Sequence, residues 1–343
     1  MSADADIFSV MTVPAEDVAP SAAEALAREH WGIRGKASAL TGERDRNFRL
    51  TAADGAEYVL KFANPAEDPA VTDLQIKALQ HIALRDPGFP VPRVVPLPTG
   101  AVEIALARPG GPPQRVRMLT FLPGVPLQRV TRGAALRGAC GRALARLGLA
   151  LKDFHHPAAR HPLIWDLAHF PRLREVMGAL EHTPAREAVE AVLEAYDARV
   201  RPMLPSLRHQ VLHNDMNGGN TLVHERDPDC IAGIIDFGDM VETALAIDVA
   251  VAAAHHISDL GSFISGFHAV RPLMPEEVAV LPTLIAARQC MSLVLRAWHR
   301  SLHPDNPHYA PLEPPEITQR LVELAAMRAP ETEATLRRAC GLA

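Results

Sequence analysis

Cysteine is sparse in the sequence, and it does not occur in pairs. The four cysteines, Cys140, Cys230, Cys290 and Cys340, lie far apart, and none belongs to a C-x-x-C motif. This spacing excludes a disulfide framework and a cysteine-ligated zinc site. It indicates buried thiols in a reducing compartment, so we expect a cytoplasmic protein.

Long apolar runs and an excess of positive charge are also missing. The N-terminus carries Asp4 and Asp6 in place of the apolar core of a signal peptide, and we expect no segment that approaches a membrane span. The formal net charge of −5 at pH 7 gives no electrostatic basis for binding nucleic acid. With 343 residues, 48% of them hydrophobic, the chain is long enough for two domains of a globular protein.

Lysine is rare as well, and this rarity draws attention to one of the four lysines. The basic residues are nearly all arginine, yet Lys61 stands between Leu60 and Phe62 in an apolar, strand-like run. A compact charge on a flexible stem suits the α- and β-phosphates of a nucleotide. The alternative is an edge-strand lysine that extends its ammonium group into solvent.

Two polar motifs flank a predicted β-hairpin, with strands over 221–224 and 231–235 around the polar turn 225–229. A His-x-Asp-x-x-x-x-Asn motif runs from His213 to Asn220, and an Asp-Phe-Gly tripeptide begins at Asp236. In phosphoryl transfer, the Asp of such a loop accepts the proton of the acceptor hydroxyl, while the Asn and the later Asp hold Mg²⁺. We therefore predict a kinase-like site with Asp215 as the catalytic base and Asn220 and Asp236 as metal ligands.

The order of predicted elements indicates an α+β chain with two lobes. Strand-like runs and two helices, 20–31 and 68–85, make up the first third, a proline-containing segment follows, and the remainder is mostly helical. We therefore divide the chain into an N-terminal arm (1–19), a small nucleotide-binding N-lobe with an antiparallel sheet (20–121), a hinge (122–126) and a larger helical C-lobe (127–343). The C-lobe is expected to hold the catalytic loop and the substrate site.

Two further segments of the N-lobe are candidates for nucleotide contacts. The turn 42–46 contains Gly42 but lacks the full G-x-G-x-x-G pattern. It is either a phosphate-covering turn, in which backbone N–H groups and the guanidinium of Arg44 or Arg46 reach phosphate oxygens, or a solvated charged turn. The backbone just before the hinge, including Thr120 and Phe121, is expected to face the nucleotide base.

The predicted helix 68–85 is expected to present an acid to Lys61, as the corresponding helix does in protein kinases. The matching position is occupied by Gln75, and Asp73 stands nearby. Two partners for Lys61 are therefore open, a hydrogen bond with Gln75 or an ion pair with Asp73.

Charged residues in the apolar helices of the C-lobe also need an explanation. Asp248 lies in the apolar run 243–256, where an unpaired carboxylate would be costly, and the backbone of the loop 213–220 is its expected partner. Arg288 and Arg296 lie on one face of a later helix. They either bind a carboxylate of the substrate or are simply solvated.

These motifs resemble those of the aminoglycoside phosphotransferase/choline kinase family, small-molecule kinases with a protein-kinase-like two-lobe fold. The family pattern is a His-Gly-Asp-x-x-x-x-Asn loop, an Ile-Asp-[Phe/Trp]-x-[Asp/Glu] segment and a later Asp-Leu-Ala. The chain matches it with mild departures, Asn214 for Gly and Val249 for Leu. The segment 43–48, Glu-Arg-Asp-Arg-Asn-Phe, and the segment that begins at Trp165 are most similar to those of hydroxylysine kinases.

The resemblance implies roles for further residues at matching positions. Asn47 would belong to the nucleotide site, and His213 and Asp248 would support the catalytic loop. Asp239 and Glu242 would face the acceptor and bind a cationic amine.

The expected function is Mg²⁺-dependent transfer of the γ-phosphoryl group of ATP or GTP to a hydroxyl of a small amine or amino-alcohol, hydroxylysine-like. Homoserine, choline or ethanolamine, and an aminoglycoside are alternative acceptors. A non-catalytic nucleotide-binding scaffold is a further alternative, supported by Gln75 in the ion-pair position. We expect a monomer or a homodimer.

Overall fold

The structure is a computed structural model that describes residues 7–42, 44–108, 111–180, 184–304, 314–327 and 330–342. These residues divide into two units. The first unit runs to Pro123 and also includes His156–His161 and Ala232–Ile235, and the second unit contains the remainder. The lobe boundaries at residues 20, 122 and 127 stay a prediction.

The first unit is built around an antiparallel sheet with the strand order β1-β2-β3-β5-β4. Its core contains Trp31, Phe48, Leu60 and Met118, all buried. The elements are α1 (Ser9–Thr12), α2 (Pro20–Trp31), β1 (Gly35–Leu40), β2 (Arg46–Ala52), β3 (Glu57–Phe62), α3 (Pro69–Arg85), β4 (Ile104–Arg108) and β5 (Gly111–Thr120). Helix α3 begins with Pro69 after an N-cap, Asp68, whose side chain accepts from the N–H of Ala70 at 2.8 Å.

Part of the predicted N-terminal arm is packed. Ile7, Phe8 and Met11 are buried around α1, and the Nδ2 of Asn64 donates to the carbonyl of Val13 at 2.8 Å. The sequence showed no sign of this packing, because three apolar side chains are too few to show a periodicity.

The second unit is mostly helical and carries two small sheets. One sheet has the strand order β6-β8-β9, and the other pairs β10 with β7. The elements are β6 (Val125–Pro126), α4 (Ala134–Ala150), α5 (Pro184–Arg199), β7 (His209–Leu212), β8 (Thr221–His224), β9 (Asp227–Ile234), β10 (Val241–Ala244), α6 (Leu245–Ala253), α7 (Leu260–Val270), α8 (Pro275–Leu302), α9 (Pro314–Met327) and α10 (Pro330–Ala339).

Helix α8 corrects one expectation from the sequence. Its 28 residues are long and apolar enough to cross a membrane by length and composition, although no such segment was expected. Within its most apolar window, 83% of the residues are buried inside the protein. Burial of this kind is also what the core helix of a globular protein shows, and Leu284, Met291 and Leu295 of α8 belong to the core.

Candidate active site

The loop 213–220 connects β7 to β8, and strand pairing fixes its neighbours. Leu212, the last residue of β7, lies opposite Val241, the first residue of the antiparallel strand β10. The start of the loop is therefore held beside the segment that precedes β10, which contains Asp236 and Asp239. Two motifs that are separate in the sequence come together through this pairing.

A buried carboxylate holds the loop in an uncommon backbone conformation. Asn214 has a φ of 60°, a left-handed value that non-glycine residues rarely adopt. Its N–H donates to the Oδ1 of Asp248 at 2.8 Å, and this agrees with the partner expected from the sequence. One residue earlier, the Nδ1 of His213 accepts from the N–H of Asp215 at 3.2 Å, and its ring meets Phe237 edge to face at 4.8 Å.

Three side-chain donors converge on the carboxylate of Asp215. The Nη2 of Arg288 donates to Oδ1 at 3.0 Å. The Nδ2 atoms of Asn217 and Asn220 donate to Oδ2 at 3.0 Å and 2.6 Å. The side chain is 17% exposed, so these contacts orient a carboxylate that solvent still reaches.

The electrostatics of the site raise the proton affinity of Asp215. Burial raises the pKa of Asp215 to about 8, and the carboxylates of Asp239 and Asp236 act in the same direction. Arg288 and the hydrogen bond from Asn217 lower the pKa in opposition. A carboxylate with a raised pKa is a stronger base than a solvated one, which suits it to accept a proton from a hydroxyl group.

Arg288 contacts both the carboxylate of Asp215 and an aromatic ring. Its guanidinium carbon lies 4.6 Å from the centre of the Trp165 ring, and the residue is buried. Of the two alternatives left open for Arg288, simple solvation does not apply to this buried residue. Arg296, two turns further along α8, is half-buried.

Asn220 and Asp236 present the hard oxygen atoms that Mg²⁺ prefers. The Nδ2 of Asn220 donates to the backbone carbonyl and the Oδ2 of Asp215, so its Oδ1 is on the other side of the amide. Asp236 is exposed and has a φ of 61°, a strained conformation of the kind that is retained at functional sites.

A two-ligand set fits a metal that is bound together with phosphates. No group of three or more His, Cys, Asp or Glu side chains that could hold a metal occurs in the described part of the chain. Mg²⁺ usually takes one or two carboxylates from the protein and completes its shell with water and substrate phosphates. Asn220 and Asp236 therefore match Mg²⁺ better than a metal that needs a full protein cage.

The two acids predicted to face the acceptor differ in exposure. Asp239 is buried, and Glu242, on β10 opposite Val211, is half-buried. Asp239 is the neighbouring carboxylate that most strongly raises the pKa of Asp215. Negative charge is therefore concentrated beside the predicted base.

In the first unit, the acid beside Lys61 comes from the turn before β2. The Nζ of Lys61 lies 3.6 Å from the Oδ2 of Asp45, and the Nη2 of Arg117 lies 3.6 Å from the same oxygen. The side chains of Lys61 and Asp45 are 10% and 16% exposed. The strand register explains why Lys61, Asp45 and Arg117 lie together. Lys61 pairs with Asn47 on β2, two residues after Asp45, and with Arg117 on β5.

Of the two partners left open for Lys61, Asp73 makes its contacts elsewhere. Asp73 instead contacts Lys77, one turn along α3, at 2.7 Å and the Nε2 of His156 at 3.1 Å. Gln75 is buried and accepts from the Nη2 of Arg117 at 2.5 Å. The kinase-like position on α3 is thus linked to the Lys61 group through Arg117.

The other residues predicted to contact the nucleotide have different surroundings. Asn47 is buried beside Lys61, the carbonyl of Arg44 accepts from Asn64 at 3.2 Å, and Glu43 lies outside the described residues. The N–H of Thr120 donates to Arg93, and that of Phe121 to Glu57. The backbone of Thr120 and Phe121 can therefore contact a base only through carbonyl oxygens that accept from it, whereas the hydroxyl of Thr120, which accepts from the N–H of Arg93, still has a hydrogen to donate.

Three site residues were missed by sequence reasoning. Asp45 stands in the charged turn that was singled out, but its pairing depends on strand register. Asn217 lies inside the predicted loop, and an amide side chain two residues after the predicted base could have indicated a hydrogen bond to that base. Trp165 begins a segment that was noted for its resemblance, and nothing in the sequence indicated that Arg288 would stack on it.

Asp248 provides a stability test of the loop. Burial raises its pKa to about 6, so the folded protein binds the proton more tightly than the unfolded chain, and stability falls as pH rises from about 4 to about 6. Asp248→Asn keeps an oxygen for the N–H of Asn214, and we expect it to remove this pH dependence. Asp248→Ala leaves that N–H unpaired and costs about 1–3 kcal/mol.

Urea unfolding of the three proteins at pH 4 and pH 7 measures both effects. An unchanged slope of stability against pH in Asp248→Asn would contradict the assignment of this titration to Asp248.

Comparison with known proteins agrees with this geometry. The profile described as the phosphotransferase enzyme family matches residues 37–278. The chain belongs to this family. Over 84% of each chain it is 32% identical to hydroxylysine kinase from Mus musculus.

Two further proteins extend the comparison. A homoserine kinase from Azorhizobium caulinodans is 30% identical over 82% of this chain and 85% of its own length. The solved structure of the amicoumacin kinase hAmiN, in complex with AMP-PNP, Ca²⁺ and Ami, superposes with a TM-score of 0.67 at 14% identity, over 90% of this chain and 93% of that one.

These findings confirm the α+β, protein-kinase-like fold predicted from the sequence. They also confirm the predicted class of enzyme. The protein is a small-molecule kinase, a phosphotransferase that acts on an alcohol group.

Proposed function

We propose that the protein transfers the γ-phosphoryl group of ATP or GTP to the hydroxyl of a small amino acid or amino-alcohol, with 5-hydroxylysine as the first candidate. The observation that carries the proposal is the convergence of Asn217, Asn220 and Arg288 on the carboxylate of Asp215. Such an oriented, partly exposed carboxylate is suited to hold a hydroxyl group for in-line attack.

Asp215 is the proposed base. It accepts the proton of the acceptor hydroxyl while the hydroxyl oxygen bonds to the γ-phosphorus and the nucleoside diphosphate leaves. Asn220 and Asp236 are the proposed ligands of Mg²⁺, which supplies charge neutralisation to the phosphate oxygens when bound. Asp239 and Glu242 are the proposed contacts for an ammonium group of the acceptor, since Asp239 places negative charge near the base and Glu242 follows it on β10.

Lys61 is the proposed phosphate-binding lysine, and its replacement gives a sharp test. Lys61→Met is expected to lower kcat/KM for the nucleotide by about 10- to 100-fold, the loss that follows from removing a hydrogen bond to a charged group. Lys36→Met is the matched control, because the side chain of Lys36 is 90% exposed. Equal kinetics in the two variants would contradict a phosphate-binding role for Lys61.

A coupled assay of nucleoside diphosphate release tests the reaction. ATP and GTP are supplied in parallel with Mg²⁺, and the acceptors are 5-hydroxylysine, homoserine, choline, ethanolamine and an aminoglycoside. We expect turnover on 5-hydroxylysine that disappears when Mg²⁺ is replaced by EDTA. Turnover on another acceptor alone would keep the mechanism and reject hydroxylysine.

Homoserine is the second candidate acceptor, and the 30% identity to a homoserine kinase favours it. Choline or ethanolamine and aminoglycosides remain weaker alternatives. A non-catalytic scaffold would bind nucleotide but release no diphosphate with any acceptor. The oriented carboxylate of Asp215 argues against it, because nucleotide binding alone does not need a base.

A further inference from the structure

Asp45 belongs to the turn before β2, and both oxygens of its carboxylate have partners. The N–H of Asn64 donates to Oδ1 at 3.1 Å. The Nζ of Lys61 and the Nη2 of Arg117 each lie 3.6 Å from Oδ2. Since the side chain of Asp45 is only 16% exposed, these contacts hold a largely buried carboxylate beside two cations.

The turn that carries Asp45 is fixed by its own packing. The Nδ2 of Asn64, which follows β3, donates to the carbonyl of Arg44 at 3.2 Å. A Cβ added at Gly42 would lie 2.5 Å from the carbonyl oxygen of Asp45, so the turn closes more tightly than a residue with a side chain allows. The backbone of the turn therefore helps to hold Asp45 beside Lys61.

Lys61 and Arg117 form a pair of like charges that needs this carboxylate. They lie directly opposite each other on the neighbouring strands β3 and β5, and both are buried. Like charges in such a pair repel, and a buried charge without a counter-ion is costly. A carboxylate between the two cations offsets the repulsion and restricts where the ammonium group can lie.

The position on α3 that would carry the acid of a protein kinase joins this group through a neutral contact. Gln75 accepts from the Nη2 of Arg117 at 2.5 Å and carries no charge. The negative charge 3.6 Å from the ammonium group of Lys61 is that of Asp45, on a turn rather than on α3.

We propose that Asp45 performs the positioning role of the missing α3 acid and holds Lys61 in place for the phosphates of the nucleotide. This inference rests on the proposed function, because it takes Lys61 as the phosphate-binding lysine. Asp45 is then a positioning residue that acts through Lys61, so its contribution should depend on the presence of Lys61.

Replacement of Asp45 by Asn removes the charge but keeps an oxygen for the N–H of Asn64. We expect it to lower kcat/KM for the nucleotide by about tenfold, because a displaced binding group loses part of its effect, and to leave KM for the acceptor unchanged. Asp54→Asn is the matched control, since Asp54 is exposed in the turn between β2 and β3 and the charge change is the same.

Two results with folded Asp45→Asn would overturn the inference. Unchanged kcat/KM would mean that Lys61 is held without Asp45. Tighter binding of nucleotide would mean that Asp45 competes with the phosphates for Lys61. If Asp45→Asn does not fold, Asp45→Glu keeps the charge but displaces the carboxylate, and we expect a loss of about threefold. Wild-type kinetics in Asp45→Glu would then overturn the inference.

The Lys61→Met background separates positioning from a purely structural role. In this background, Asp45→Asn should change kcat/KM for the nucleotide by less than about twofold, because residues that act as a unit have non-additive effects. A further loss of about tenfold would show that Asp45 acts independently of Lys61, and the inference would be wrong.

Relocation of the charge tests the comparison with α3. Gln75→Glu returns an acid to the α3 position and keeps an oxygen for Arg117. Added to Asp45→Asn, it is expected to restore kcat/KM to within about threefold of the wild type. If the folded double variant shows no recovery, the two positions do not serve the same role and the inference fails.

Calorimetric titration with nucleotide and Mg²⁺ needs no acceptor, so it tests the inference even if the proposed acceptor is wrong. We expect ATP or GTP to bind more weakly to Asp45→Asn and equally well to Asp54→Asn. Weaker binding by Lys61→Met together with wild-type binding by Asp45→Asn would reject the inference and keep the role of Lys61. Wild-type binding and kinetics in Lys61→Met would reject both.

Discussion

Replacement of Asp215 by Asn is expected to lower kcat by about 10³-fold, within the range that general-base catalysis contributes. An amide cannot take the proton of a hydroxyl group at neutral pH. In either orientation of the new amide, its NH₂ group would also face a hydrogen-bond donor. Asn217 and Asn220 donate to one oxygen of Asp215, and Arg288 donates to the other. Both effects act on the acceptor and the transition state, so the nucleotide Kd should change little.

The measurement is kcat from diphosphate release together with the nucleotide Kd from calorimetry. Asp153→Asn is the matched control, since Asp153 is exposed in the turn after α4 and the substitution makes the same change of charge. We expect the control to retain wild-type kinetics. Substantial turnover by Asp215→Asn would reject Asp215 as the base, and loss of nucleotide binding would show that its role is in holding the loop.

The elements that carry local signals could be predicted from the sequence. Strand β8 has the predicted bounds, 221–224, because its apolar run is bordered by polar residues on both sides. The positions of Asp215 and Asn220 in the loop before β8 followed from motif spacing alone. The partner of Asp248 was also predictable, since a buried carboxylate requires a donor and the loop offered backbone N–H groups.

Features that depend on register or on distant contacts could not be predicted. Strand β9 begins at Asp227, before the predicted start at Ile231, because its pairing with β8 extends through polar residues. The Lys61–Asp45 pair depends on how the turn after β1 closes. The contact between Arg288 and Asp215 joins residues 73 positions apart, and periodicity within α8 shows only which face Arg288 occupies.

Replacement of Gly141 by Ala is expected to destabilise the protein by about 3 kcal/mol, the upper part of the usual range for overpacking. Gly141 lies in α4 where this helix crosses α7 at close range. A Cβ added there would lie 2.7 Å from the backbone nitrogen of Phe267 and still closer to the carbonyl oxygen of Phe263. Side chains can rotate away from such a clash, but the backbone of α7 cannot, so the two helices have to separate.

Helix propensity acts in the opposite direction and makes the test stringent. Alanine stabilises a helix by up to about 1 kcal/mol relative to glycine, so a loss of stability in Gly141→Ala can only come from the crossing. Gly178→Ala is the control, because a Cβ at Gly178 meets no atom of the described residues within 4 Å. Urea unfolding should show a lower midpoint for Gly141→Ala alone. A midpoint equal to that of the wild type would mean that α4 and α7 lie further apart than the structure places them.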